Sequence, residues 1–274
     1  MIISHEQKFI FVKTVKTGGS QVELALAPYL SNRALQTIDT VGGQFSEVRN
    51  QYRRVTRLPT GIFFTKAFDL VVDSPERMNA LKGIASSFIS RRGPSIQTLS
   101  IEKNHMEASE IRDLVGTHAY SRYFKTAIVR HPYSRIASAF WRTSKIKDHR
   151  EIFDRFGLQK SFYRWLNENP EIFSVNQRIL TDVNKSNGVD LLVDHVIRYE
   201  NLETSLVIFA DYLKIDLGQL TRRFRTLPAR NPSRPTNFSI KNLYSAESLS
   251  IVNQQAAWEF ETFGYDPTSL VDDV

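Results

Sequence analysis

Twice in this chain an apolar run that reads as a buried strand passes straight into a turn suited to an anion and then into a helix: residues 9–23 (FIFVKTVKTGGSQVE) and 124–142 (FKTAIVRHPYSRIASAFWR). Such strand–turn–helix units imply an α/β architecture, because each leaves its turn at the carboxyl end of a strand, where sheets of this kind bind ligands. In the first stretch Phe9, Ile10, Phe11 and Val12 lead to Lys16-Thr17-Gly18-Gly19-Ser20, then to a helical run with Val22, Leu24 and Leu26 ahead of Pro28. The glycines let the backbone turn tightly, and the amides of the turn and first helical residues then converge on one spot. Lys16 and the hydroxyls of Thr17 and Ser20 add charge and hydrogen bonds for an oxyanion. On turn chemistry alone the glycine pair also fits an ordinary strand-to-helix connection.

The second stretch ends its strand, Ala127-Ile128-Val129, at Arg130, breaks at Pro132 and continues as a helix that carries Ser134 and Ser138 on one face at i and i+4. A guanidinium beside a hydroxyl suits a terminal phosphate, although both residue types also occur at such places as ordinary surface groups. Together the two stretches describe a pocket for a nucleotide with phosphates at both ends. In a Walker A loop the lysine follows the last glycine; here Lys16 precedes both glycines. No acid-ended apolar strand stands out as a magnesium holder, which argues against a metal-dependent phosphoryl transferase, and no metal is expected.

These residues resemble those of sulfotransferases that use 3′-phosphoadenosine 5′-phosphosulfate (PAPS), most closely the carbohydrate and glycan O-sulfotransferase-like group, sulfotransferase family 2-like. The family form PKTGGTS for the 5′-phosphosulfate is matched by Val15-Lys16-Thr17-Gly18-Gly19-Ser20-Gln21, and the form VRxPxxRxxSxF for the 3′-phosphate by residues 129–140, from Val129-Arg130 through Ser138 to Phe140. The first match departs twice: Val15 stands in place of the usual proline and Gln21 where serine or threonine is common. Lys103-Asn104-His105 and the residues up to Arg112 are similar to a family segment in which a histidine follows a strand and precedes a short helix. Residues 194–202 (DHVIRYENL) look like its late strand with an acidic turn, and Asn231-Pro232-Ser233-Arg234 and Phe263-Gly264-Tyr265 sit where it has an Asn-x-Ser loop and a terminal FGY. Residues 31–95 match no named motif, which makes them the expected home of acceptor specificity.

The resemblance implies roles residue by residue. Lys16, Thr17, Gly18, Gly19, Ser20 and Gln21 bind the 5′ end of the donor, Arg130 and Ser138 its 3′-phosphate, and Ser233 and Arg234 belong to a loop near 225–240 that closes over it. Sulfuryl transfer, by analogy with phosphoryl transfer, builds negative charge on the bridging oxygen of the leaving phosphate, so a cation there acts mainly in the transition state. Lys16 is the candidate, with the amides of Gly18, Gly19 and Ser20. The acceptor hydroxyl must lose its proton, which calls for a base of near-neutral pKa, and histidine fits best. Of the six histidines, His105 matches the family histidine in position. His131 lies inside the phosphate motif and His195 inside a strand, while His5, His118 and His149 have no motif support. Lys103, two residues before His105, projects to the same side of an extended segment.

Composition and charge bound the class further. With 274 residues, 41% hydrophobic and 24% charged, the chain can bury a sizeable core without staples, and its lack of cysteine excludes thiol chemistry, disulfides and cysteine-ligated zinc. Residues 1–8 are too short and polar for a signal peptide and no run of about 18 apolar residues occurs, so no membrane span and a cytoplasmic location are expected. The net charge of +7 suggests an anionic partner. Arg49, Arg53, Arg54 and Arg57 form one basic cluster, and Arg222, Arg223, Arg225, Arg230 and Arg234 another, yet no helix-turn-helix, zinc-finger or RNP pattern appears and no nucleic-acid partner is expected.

Apolar and β-branched runs predict strands at 8–13, 34–39, 95–101, 124–130 and 193–199, and helices at 19–30, 107–116, 133–143, 158–168, 202–213, 217–225 and 246–262. The expectation is one α/β domain over residues 1–274, a mainly parallel central sheet flanked by helices, with a P-loop-like nucleotide-binding fold and a tail from about Asp266. Its expected activity is transfer of a sulfuryl group from PAPS to a hydroxyl of a small molecule or glycan, foremost a carbohydrate or glycolipid. An atypical P-loop kinase and a non-catalytic nucleotide- or polyanion-binding protein are the alternatives.

Overall fold

The computed structural model describes residues 1–30, 34–36, 105–143, 155–182, 190–227 and 239–270. Five strands, β1 Ile2–Ser4, β2 Phe9–Val12, β3 Leu35–Gln36, β4 Phe124–Val129 and β5 His195–Arg198, form one sheet in the order β3-β1-β2-β4-β5. Side chains alternate across a strand, and β2 is apolar throughout, so it feeds both faces. Phe9 and Phe11 pack with Val22, Leu26, Ile128, Ile197, Phe209 and Phe224 on one side. Ile10 and Val12 pack with Ile111, Ala127, Val129, Ile179 and Leu180 on the other. Full burial of such a side chain contributes roughly 1.5–3 kcal/mol, so these two faces, rather than ladders only a few residues long, hold the strands.

Strand direction positions the site. β2 pairs parallel to β4 from Phe9↔Phe124 to Val12↔Ala127, and β4 pairs parallel to β5 from Thr126↔His195 to Val129↔Arg198. Their carboxyl ends therefore lie along one edge, where Lys13, Arg130 and Tyr199 leave the sheet. β1 runs antiparallel to both β2 and β3, so it alone opposes the common direction and the sheet is mainly parallel, as expected. β1 lies outside every expected strand. Its three residues are too few to show a period, and a turn in which the Gln7 amide donates to Ser4 Oγ at 3.3 Å folds it back on β2.

Helices flank the sheet. α1 Gly19–Leu26 stops short of the expected 19–30, because Pro28 continues as a 3-10 turn, Ala27–Tyr29. α2 Ala108–Val115 begins with a reciprocal capping box between Glu107 and Glu110, and α3 Thr117–Arg122 follows it. α4 Pro132–Thr143 and α5 Arg155–Glu168 match the expected 133–143 and 158–168. α6 Glu171–Leu180 was not anticipated, although Ile172, Phe173, Asn176, Ile179 and Leu180 form its buried face at helical spacing directly after Pro170.

The expected helix 202–213 is broken at Leu206 into α7 Leu202–Ser205 and α8 Val207–Leu213, where the Ser205 carbonyl is taken by His195 Nε2 at 2.8 Å. α9 Leu217–Thr226 agrees with 217–225, and 246–262 is divided at Ala256 into α10 Ala246–Gln255 and α11 Ala257–Phe263. The expected strand 95–101 lies outside the described residues.

A third apolar cluster gathers α4, α5, α10 and α11 through Ile136, Phe140, Phe162, Leu166, Val252 and Phe260. Inside it Arg135 Nε donates to Glu259 Oε2 at 2.9 Å with both side chains buried, tying the helix of the second motif to the C-terminal helices. Among the described residues no helix is long and apolar enough to cross a membrane.

Candidate active site at the strand ends

The loop between β2 and α1 has the backbone shape that an anion cradle requires. Lys16 is left-handed at φ 63°, Gly18 is left-handed at φ 86°, and α1 starts at Gly19. Alternation of this kind turns successive N–H groups toward one concavity. Gly18 is demanded twice over, since a Cβ there would lie 2.8 Å from the Tyr199 ring as well as sitting at positive φ. A Cβ on Gly19 would come within 2.8 Å of the Lys13 side chain, which is itself buried and paired with Glu23 at 2.7 Å.

Thr17 serves the loop from within. It is fully buried, and its hydroxyl lies 2.7 Å from Thr14 Oγ1, which in turn donates to the Ile128 carbonyl of β4. The hydroxyl is thus committed to the loop's own structure, and the peptide group of Thr17 is what remains for a ligand. Lys16, Ser20 and Gln21 are partly exposed, as a contact to a bound anion requires, and Gln21 Oε1 lies 3.5 Å from the Cβ position of Gly18.

The two motifs meet. Arg130 Nη1 donates to the Lys16 carbonyl at 3.4 Å, and the guanidinium carbon stands 4.7 Å from the centre of the Tyr199 ring. Tyr199 therefore separates and spaces the Gly18 turn and Arg130, with a cation–π contact on the arginine side. Ser138 is partly exposed on α4, one turn beyond the buried Ser134.

His105 stands at the root of the same loop. Its Nδ1 lies 3.0 Å from the carbonyl oxygen of Lys13. A carbonyl can only accept, so Nδ1 carries the proton and Nε2 keeps the lone pair that a general base needs. Burial pushes the imidazole down to about 4, against a smaller upward pull from the Lys13 hydrogen bond. The ring is neutral at pH 7 and lies below the near-neutral range expected of it.

The late motifs form the wall behind Arg130. The Glu200 carboxylate accepts from the His131 amide at 2.6 Å and from the Tyr265 hydroxyl at 3.0 Å, while Arg198 donates to the Phe263 carbonyl. Burial next to Glu200 drives the Tyr265 phenol well above its ordinary value, so it acts as a fixed donor. His131 is packed among Tyr133, Phe260 and Tyr265, and His195 is spent on Ser205, which gives both rings structural places. Arg223 Nε donates to the Leu24 carbonyl at 3.4 Å and Arg225 pairs with Glu203 at 2.7 Å, so this part of the second basic cluster is engaged with the protein itself.

Lys103, Ser233 and Arg234, the residues 31–33 and 37–95 of the acceptor region, and the first arginine cluster lie outside the described residues. Sequence reasoning missed the structural parts played by Lys13, Asn176 and Tyr199. Tyr199 directly follows β5, a strand end that was readable. Asn176 offered no signal, because the single carboxamide that meets the loop from a distant helix looks like any other helix asparagine. No cluster of three or more His, Asp or Glu among the described residues has the geometry of a metal site.

No curated protein and no solved structure matches the chain. The sequence model described as the sulfotransferase family aligns with residues 1–266, a span that takes in the cradle, Arg130, His105 and the Glu200–Tyr265 wall alike. The likeness first read in two short motifs thus extends over nearly the whole sequence, and the chain belongs to the sulfotransferase family.

Proposed function

We propose that this sulfotransferase moves a sulfuryl group from PAPS to a hydroxyl of a carbohydrate or glycolipid. The observation that supports it most is the contact of Arg130 with the Lys16 carbonyl, which sets a cation for one phosphate beside a cradle for another. A single-phosphate nucleotide would leave one of the two without use. The left-handed backbone at Lys16 and Gly18 and the partly exposed side chains of Lys16, Ser20 and Gln21 fit an anionic 5′ end. Arg130 and Ser138 fit a 3′-phosphate, and Ser233 and Arg234 are assigned to the loop that covers it.

The bound donor supplies a sulfuryl group already activated by its link to phosphate. Lys16 and the amides of Gly18, Gly19 and Ser20 hold the oxygen that gains charge as that link breaks. His105 takes the acceptor proton at Nε2, while the Lys13 carbonyl fixes its tautomer. The choice of a carbohydrate acceptor rests on the likeness of the two motifs to the glycan group, and residues 31–95 are assigned its recognition.

The test is calorimetric titration with 3′-phosphoadenosine 5′-phosphate, with AMP and ATP as controls and a chelator present. Binding that needs the 3′-phosphate and survives the chelator supports the donor; transfer from PAPS to a glycan panel but not to simple phenols supports the acceptor class. Absence of binding, or preference for ATP with magnesium, would overturn the reading.

A further inference from the structure

Lys16 holds a backbone conformation that a side chain bearing Cβ does not adopt without support. Two peptide planes meet at its Cα, and both are held from outside the loop. The plane after Lys16 carries its carbonyl, which accepts from Arg130 at 3.4 Å. The plane before it carries the Val15 carbonyl, which accepts from Asn176 Nδ2 at 3.4 Å, while Asn176 Oδ1 accepts from the Val15 amide at 2.8 Å. One carboxamide therefore grips both backbone groups of Val15.

We propose that Asn176 is a positioning residue that sets the direction of Lys16 toward the donor. In this chain Val15 stands where the motif PKTGG has proline. Proline has no N–H and a fixed φ; Val15 restores a donor and a free rotation, and Asn176 answers both. Asn176 is only 2% exposed and stands on α6, which is anchored in the core by Ile172, Phe173, Ile179 and Leu180. Burial raises the Glu259 carboxyl above its ordinary value against smaller downward pulls from Arg135 and Asn176, and its Oε2 accepts from Arg135 Nε of α4 at 2.9 Å. The donor side of this inference rests on the function proposed above; the grip itself does not.

Two measurements separate them. Amide hydrogen exchange without ligand is expected to be about 10-fold or more faster at Val15 in N176L than in the wild type, the scale for an unsatisfied buried donor. Equal exchange would overturn the grip, whatever the ligand. Affinity for 3′-phosphoadenosine 5′-phosphate, with V15P as the second background, then tests its purpose. N176L alone should weaken binding about 10-fold, whereas N176L added to V15P should change it by less than about threefold, since the amide is gone and only the longer 3.4 Å bond to the carbonyl is lost. Equal losses in both backgrounds, or an N176L protein that folds no better when V15P is added, would reduce Asn176 to packing and overturn the proposal. A wild type that exchanges slowly at Val15 but does not bind the nucleotide would overturn the function proposed above and leave the grip standing.

Discussion

The Arg130 guanidinium donates to the main-chain carbonyl of Lys16 at 3.4 Å, so the cation of one motif shapes the backbone of the other. The two halves of the site are therefore not independent. Arg130→Ala is expected to weaken binding of 3′-phosphoadenosine 5′-phosphate by tenfold or more and also to reduce turnover at saturating donor, because the loop that carries Lys16 loses one of its holds. Arg130→Lys should restore neither, since an ammonium cannot both face Tyr199 and reach the carbonyl in the fixed fork of a guanidinium. Ser138→Ala, which leaves the loop untouched, should raise the donor requirement alone. Steady-state kinetics with varied PAPS distinguishes these outcomes; an Arg130→Lys protein with wild-type constants would contradict the geometry.

Lys16→Ala should lower turnover by about 10²-fold or more, the scale for losing a group that acts mainly in the transition state. Because the amides of the cradle remain, affinity for the nucleotide product should fall much less. Single-turnover rates beside equilibrium binding make the comparison, and an unchanged rate would remove Lys16 from the chemistry.

Gly18→Ala asks whether the cradle depends on its shape rather than on any side chain. The substitution forces a Cβ to within 2.8 Å of the Tyr199 ring at φ 86°. The left-handed backbone alone costs about 1–2 kcal/mol, and the ring that would have to move is the one on which Arg130 rests. A lower melting temperature together with loss of nucleotide binding is expected. Replacing Tyr199 with alanine in the same protein should recover part of the stability but not the binding, which calorimetry and thermal unfolding would show.

How much of this could be read from the sequence follows from the range of each interaction. The turns at Lys13–Gly18 and Arg130–His131 were legible because a strand, its turn and the next helix are contiguous, and local chemistry dictates local shape. That they adjoin required only that β2 and β4 be neighbours, which the shared direction of the strands favours. The grip of Asn176 on Val15 spans 161 positions in sequence, and nothing in a helix asparagine announces such a partner. α6 was within reach, since Ile172, Phe173, Ile179 and Leu180 repeat at helical spacing after Pro170. The breaks at Leu206 and Ala256 were not, because one arises from a hydrogen bond between the Ser205 carbonyl and His195 of a neighbouring strand. Likewise the resemblance singled out His105 as a candidate by position, but only the surrounding packing determines its basicity.

That basicity makes a prediction with a definite sign. Burial holds the His105 imidazole at about 4, below its ordinary 6.5, so between these values the unfolded chain binds more protons at this site than the folded one. The group's contribution to stability is present in full above pH 6.5 and is lost as pH falls toward 4, by at most about 3 kcal/mol. His105→Gln should therefore flatten the fall of melting temperature with acid across this window relative to the wild type. An NMR titration of the ring in the ligand-free protein should show a midpoint near 4. With 3′-phosphoadenosine 5′-phosphate bound, the midpoint should rise, because added negative charge close to the ring favours the imidazolium. A free-state midpoint near 6.5 that does not move with nucleotide would place the ring in solvent, away from the donor, and would remove His105 as the group that takes the acceptor's proton.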